Sequence, residues 1–243
     1  MFGALNHNIM FHNYRVLAIV PARSGSKGIK NKNLRKINNI SLIGLAGNTL
    51  SDCKYVDKSI ISTDSPDYAN EGIKFNLEAP FLRPKKLSCD NTSSIETVSH
   101  ALIESEKYYG VTFDIVLIVE PTSPSRIPED ISKAIEMLVS QNLDSVVSVS
   151  PIDLKYHPHK ILDIKKNLLV HDNKSGESIT HRQQLSQKYV RNGIIYCLTR
   201  DCILKKNKIF TNKTGAYVIV RQTVNIDNEE DLIWAKFVLK KYK

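Results

Sequence analysis

Residues 16–20 read VLAIV and stop at Pro21. A strand built from this run is apolar on both faces and must be covered on both. That is the habit of a parallel sheet clad in helices. Residues 114–119 (DIVLIV) repeat the pattern most clearly, and 59–63, 145–150, 193–199 and 216–220 are further β-branched or apolar runs. Helical patterns lie between them: 43–53, weakened by Gly44 and Gly47; 67–74, opened by Pro66; 91–105, with Ile95, Val98, Ala101 and Leu102 on one face; and 128–140. Residues 228–241 form a closing amphipathic helix, with Asn228 as N-cap and Glu229, Glu230 and Asp231 in the first turn, where the helix dipole favours acidic groups. Short apolar strands alternating with helices predict an α/β fold with a mainly parallel sheet.

The rhythm breaks after Pro151. Residues 153–191 are polar and rich in His and Lys, with weak strand signals only at 160–164 and 168–170. They read as an insertion or arm inside one domain spanning 16–243. Residues 1–15 read as a short extra arm before it. A chain of 243 residues fits one large α/β domain or two small ones, and no internal repeat divides it.

The net charge of +9 calls for an anionic partner: nucleic acid, an acidic membrane surface or a polyanionic small substrate. Lysines 205, 206, 208, 240, 241 and 243 carry much of the excess and read as a solvated surface. No Arg-rich stripe with interleaved aromatics appears, so nucleic acid is not the leading partner. No run approaches a membrane span, and the four cysteines form no C-x-x-C pair. The expectation is a cytoplasmic protein with reduced thiols.

Directly after the first strand comes ARSGSKGIKNKN, residues 22–33. In an α/β sheet, ligands sit beyond the carboxyl ends of the strands. Gly25 and Gly28 let backbone N–H groups approach an anion, Arg23, Lys27 and Lys32 can neutralise it, and Ser24 and Ser26 can donate hydrogen bonds. The dinucleotide pattern G-x-G-x-x-G and the Walker A pattern are both absent. The plain alternative is a surface turn with solvated lysines; the position after a buried strand favours a phosphate loop.

This run resembles the signature of the CMP-sialic acid synthetase family, the cytidylyltransferases that activate sialic, legionaminic and pseudaminic acids. Further matches follow in order: Leu34–Ile37 with Ile40–Gly44, Ile61–Asp64, Leu82-Arg83-Pro84, Pro121-Thr122-Ser123-Pro124, Arg182-Gln183, Arg191-Asn192-Gly193 with Tyr196, and Ile226-Asp227 with Glu230-Asp231-Leu232. The resemblance implies a Rossmann-like, three-layer nucleotidyltransferase fold with a protruding dimerisation arm. It also implies a reaction: CTP and a nine-carbon α-keto acid sugar give the CMP-sugar and pyrophosphate, with Mg²⁺ required and the anomeric hydroxyl attacking the α-phosphorus.

By the same resemblance, Arg23, Ser26, Lys27 and Asn33 belong to the CTP site, assisted by Lys32, with Arg83 near the cytidine end. Arg23, Lys27 and Asp227 are the catalytic candidates, Asp227 as the Mg²⁺ ligand. Glu120, Lys160, Arg182, Gln183 and Asn192 fall at the sugar site, partly through an arm that crosses the interface of a homodimer. Two positions leave the family pattern. Asn225 stands where an Asp-x-Asp pair has its first carboxylate, so Asn225 offers the metal a carbonyl but no charge. Glu120 stands where Gln is expected; an ionised Glu only accepts hydrogen bonds, which adapts the pocket to a different amide or amine pattern. A binding protein with little turnover, an eight-carbon Kdo-type cytidylyltransferase and an RNA-binding module are the competing readings.

Overall fold

The structure is a computed structural model that describes residues 13–26, 28–178 and 181–241. In chain order its strands are β1 (Val16–Pro21), β2 (Lys36–Ile37), β3 (Ile40–Ser41), β4 (Lys58–Ser62), β5 (Ile115–Ile118), β6 (Ser145–Pro151), β7 (Leu162–Lys165), β8 (Leu168–His171), β9 (Tyr189–Thr199) and β10 (Thr214–Val218). The helices are α1 (Leu42–Ser51), α2 (Pro66–Ile73), α3 (Ser94–Tyr109), α4 (Pro128–Ser140), α5 (Arg200–Leu204) and α6 (Glu229–Lys241), with short 3₁₀ turns between. Most of the expected N-terminal arm lies outside the described residues.

Six strands form the main sheet in the order β10-β6-β9-β5-β1-β4. All neighbours are parallel except β9, which runs antiparallel to both β5 and β6. The reason lies in the register: Pro151, the last residue of β6, faces Tyr189, the first of β9. The chain leaves the sheet after β6, makes its excursion through residues 152–188, and re-enters at the same end. β9 must therefore run back. The excursion carries its own two-stranded sheet, β7 with β8, and its last expected residues, 189–191, belong to β9 instead.

The alternation of side chains along a strand divides the core into two layers. Val16, Ala18 and Val20 of β1 pack with Ile115 and Leu117 of β5 against α1, α2 and α4 through Ile43, Ala46, Leu50, Tyr68, Ile131 and Ile135. Leu17 and Ile19 face the other way, with Val116 and Ile118, onto α3 and α5 through Val98, Leu102, Cys202 and Ile203. The apolar strands predict this α/β sheet, and the three-layer arrangement is the one that the family resemblance implies.

Helix starts follow local chemistry. The Ser41 hydroxyl accepts from the Gly44 N–H to open α1, and Pro66 stands in the first turn of α2. Ser93 and Glu96 form a capping box, so α3 begins three residues later than the apolar pattern suggested and runs to Gly110 in the left-handed region. Before α6, the Asn228 carboxamide oxygen accepts from the Asp231 N–H at 2.8 Å, and the Asp231 carboxylate accepts from Asp227 and Asn228. Leu232, Ala235 and Val238 of α6 pack with Ile29, Ile37, Leu42, Val224 and Ile226. That third cluster folds the C-terminal segment back over the loop after β1. No described helix is long and apolar enough to cross a membrane.

Candidate active site

Three segments far apart in sequence meet beyond the carboxyl ends of β1 and β5. They are the loop after β1, the Glu120-Pro121-Thr122 turn after β5, and the return segment Val224–Asp227. Together they line a cleft of about 550 Å³ that includes Arg23, Ser26, Gly28, Lys32, Asn33, Glu120, Asn225 and Asp227. Hydrogen bonds stitch the segments together. The Ile226 N–H donates to the Thr122 carbonyl at 2.8 Å, and the Val224 N–H to the Ser125 hydroxyl at 3.1 Å. Lys32 Nζ donates to the Ile226 carbonyl at 2.9 Å and to Asp227 Oδ1 at 3.0 Å. At Gly28 a Cβ would collide with the Asp227 carbonyl oxygen, so only glycine lets loop and return segment touch.

The loop is fixed from below. Ser24 donates its N–H and its hydroxyl to the two oxygens of Asp64, at the end of β4. Burial works against the Asp64 charge, but these bonds outweigh it and hold its carboxyl below the usual value. Asn33 is buried, with its amide 3.4 Å from the Arg23 carbonyl. Arg23 itself pairs with Asp90 at 2.7 Å. Beside them lies Arg83, 5% exposed, whose Nε and one terminal nitrogen have no hydrogen-bond partner. Burial lowers its pKa, Asp64 opposes that, and Arg23 adds to it. A buried guanidinium with free donors is expensive to keep unless a ligand supplies acceptors.

The turn after β5 adds a carboxylate to the same lining. Glu120 is half-buried there, and its carboxyl is raised above the usual range by burial, with Arg126 and Arg191 pulling it back. No described residue donates a hydrogen bond to that carboxylate. Its backbone is held firmly: buried Arg126 donates to the carbonyls of Glu120, Gly193 and Ile194. Gly193 has φ 70°, and a Cβ there would sit 2.5 Å from the Ser123 hydroxyl and 2.9 Å from Glu120 Oε2. Asn192 beside it is buried. Its carboxamide accepts from the Ser148 hydroxyl and the Ile194 N–H and donates to Ser150, so it ties the irregular register of β6 and β9.

Asp227 exposes most of its carboxylate at the cleft mouth. Asn225 turns its carbonyl oxygen to the Ser123 hydroxyl and its amide nitrogen toward Asp227 Oδ2, both at 3.4 Å. No group of three or more His, Cys, Asp or Glu gathers into a metal cage among the described residues. The carboxylates of Asp227 and Glu120, both in the cleft lining, are nonetheless the hard oxygen donors that suit Mg²⁺, which keeps several waters and needs only one or two carboxylates.

The family model for cytidylyltransferases matches residues 17–242. The chain belongs to the cytidylyltransferase family. Post-translational flagellin modification protein B of Campylobacter coli is 31% identical over 227 residues, 93% of this chain and 95% of its own. The CMP-N,N'-diacetyllegionaminic acid synthase of Legionella pneumophila is 32% identical over 91% of this chain and 94% of its own. Among solved structures, CMP:2-keto-3-deoxy-manno-octonic acid synthetase complexed with CTP shares the fold, with a TM-score of 0.71 over 94% of this chain and 100% of that one, at 13% identity.

In this cytidylyltransferase the cleft brings together Arg23, Ser26, Lys32, Asn33, Glu120, Asn225 and Asp227. Lys27 lies outside the described residues. Lys160 and Gln183 are exposed on the excursion between β6 and β9 and do not line the cleft of their own chain. Arg182 lies in the same 3₁₀ turn as Gln183. Asp64 entered the sequence reading only as the end of the Ile61–Asp64 match, with no role given to it, and Asp90 and Arg126 went unremarked as single charges in loops, where no periodic pattern marks a partner. The four cysteines are free thiols, and burial raises the Cys53 thiol to about 12 and the Cys202 thiol to about 11.

Proposed function

We propose that this cleft binds CTP along the loop after β1 and transfers CMP to the anomeric hydroxyl of a nine-carbon α-keto acid sugar, releasing pyrophosphate. The observation that carries the reading is the cleft itself, within a chain matched nearly end to end by CMP-legionaminic acid synthases. Backbone N–H groups of the loop, Arg23 and Lys32 offset the triphosphate charge, which otherwise repels an incoming oxygen; Lys27 joins them on sequence resemblance. Arg83, buried outside the cleft lining, adds its positive charge from behind the loop, near the cytidine end on sequence resemblance. The anomeric hydroxyl gives up its proton to water as its oxygen forms a bond to the α-phosphorus and the bond to the pyrophosphate oxygen breaks. In such a transfer the protein's part is positioning and charge stabilisation.

Asp227, with Lys32 on one of its oxygens, would hold Mg²⁺ from the cleft mouth. When bound, the ion would draw negative charge from the phosphates. Asn225 orients Asp227 through its amide. The excursion between β6 and β9 exposes Leu162, Ile164, Leu168 and Leu169. In this reading it packs on a second copy and brings Lys160, Arg182 and Gln183 to the partner's sugar pocket. A cytoplasmic setting suits CTP and free thiols.

Initial rates of pyrophosphate release with CTP, Mg²⁺ and a panel of nonulosonic acids test the reading. Turnover with at least one such acid supports it. Saturable CTP binding without turnover of any of them supports the competing reading of a binding protein, which the single carboxylate at 225–227 motivates.

A further inference from the structure

The turn after β5 and the return segment bring Glu120 next to Asn225. Gly193 marks the place: a Cβ there would lie 2.9 Å from Glu120 Oε2 and 3.7 Å from the Asn225 carboxamide oxygen. The amide nitrogen of the same Asn225 is 3.4 Å from Asp227 Oδ2. One carboxamide therefore reaches toward two carboxylates that belong to different segments. The segments are tied to each other before any ligand arrives. The Ile226 N–H donates to the Thr122 carbonyl at 2.8 Å, and Arg126 holds the Glu120 carbonyl.

The charges at this place do not cancel. Lys32 takes Asp227 Oδ1, which leaves Oδ2 open to the cleft. Arg126 directs its hydrogen bonds to backbone carbonyls, and no described residue donates one to the Glu120 carboxylate. Yet Arg23, Ser26, Lys32 and Asn33 of the same lining suit a polyanion, which two bare carboxylates would repel. A small divalent cation between them reconciles the two. Mg²⁺ takes hard oxygens, asks for one or two carboxylates, and fills its remaining positions with phosphate oxygens and water.

We infer that Glu120 and Asp227 hold one divalent cation between them, so that the second carboxylate of the metal site comes from the turn after β5 and not from residue 225. Glu120 supplies the charge that Asn225 withholds. The inference rests on the CMP-transfer reading for what the cation does in the reaction, not for its binding.

Mn²⁺, a hard divalent cation with a paramagnetic signature, is the probe. Free Mn²⁺ is counted by electron paramagnetic resonance with the full-length protein, alone and with a non-hydrolysable CTP analogue. Water-proton relaxation reads the waters left on the bound ion. The native protein is expected to bind Mn²⁺ and to release it to excess Mg²⁺. Glu120→Gln, which keeps the shape and removes the charge, should weaken Mn²⁺ binding at least tenfold and leave an additional water on the ion. Glu120→Asp keeps the charge one methylene short and should weaken binding too, whereas a charge acting only at a distance would be preserved. Adding Asn225→Asp to Glu120→Gln returns a carboxylate to the cluster and should recover most of the affinity; thermal melts check that each variant is folded. Native-like Mn²⁺ affinity in Glu120→Gln or in Glu120→Asp overturns the inference, as does a native protein that binds no Mn²⁺ in either condition. CMP-sugar formed by a Glu120→Gln protein with unchanged metal affinity overturns it and leaves CMP transfer standing. Mn²⁺ binding that depends on Glu120, with no CMP-sugar formed, upholds it and counts against CMP transfer instead.

Discussion

Ser24 grips Asp64 twice: its N–H reaches Oδ1 and its hydroxyl reaches Oδ2, each at 2.9 Å. The bond couples the glycine-rich loop after β1 to the residues that follow β4, two neighbouring parallel strands. Asp64→Asn keeps one acceptor and turns a donor toward Ser24. The loop then loses its fixed shape before CTP arrives. The expected result is a KM for CTP raised on the order of tenfold, about 1.4 kcal/mol, with kcat changed less.

The same pair sets a pH dependence. The folded carboxyl of Asp64 lies below its unfolded value of about 3.9, so its contribution to stability is complete above that value. It is lost as pH falls through the lower folded value. Urea unfolding between about pH 5 and pH 2 should show native stability falling more steeply than that of Asp64→Asn. Equal slopes would remove Asp64 from the account.

Gly28 and Gly25 make a matched test of the cleft. A Cβ at Gly28 strikes the Asp227 carbonyl, whereas at Gly25 it meets nothing within 4 Å. Gly28→Ala should lower stability by about 1–3 kcal/mol and weaken CTP binding, since loop and return segment must part. Gly25→Ala should leave the melting temperature unchanged or slightly raised. Thermal melts and calorimetric titration with CTP read both.

Arg83 is buried with donors to spare, so its charge is held at a disadvantage when no ligand is present. Arg83→Met should unfold in urea within about 1 kcal/mol of the native protein when no nucleotide is added. Its CTP affinity should fall at least tenfold, and added CTP should no longer raise its melting temperature as it does for the native protein. A large loss of stability with CTP binding intact would make Arg83 a purely structural residue.

Arg126 shows the reverse balance. It feeds three backbone carbonyls at the junction of the Glu120 turn and β9. Arg126→Met strands those carbonyls in the interior and should cost about 3 kcal/mol or more of unfolding free energy. Denaturant titration checks it.

The apolar runs announced the sheet because a two-faced core leaves a strand no polar residue, and VLAIV and IVLIV have none. Periodicity carries no sign of direction, so β9 read as one more strand of a mainly parallel sheet, and only its return from the excursion reverses it. The loop after β1 stood out as a candidate phosphate loop through its glycines and cations. Its supports did not: Asp64 and Asp90 act on partners tens of residues away, as Arg126 does on the β9 carbonyls, and nothing in the order of residues names those partners. Glu120 stood out only as a departure from a family pattern. That its carboxylate lacks a donor is a fact of the folded chain.

Coupled transfer of CMP is measured most directly by following both products together. With CTP, Mg²⁺ and an accepted nonulosonic acid, pyrophosphate and CMP-sugar should appear in equal amounts, and neither should form when the acid is left out. CTP that binds without releasing pyrophosphate, or pyrophosphate released without a matching CMP-sugar, would contradict it.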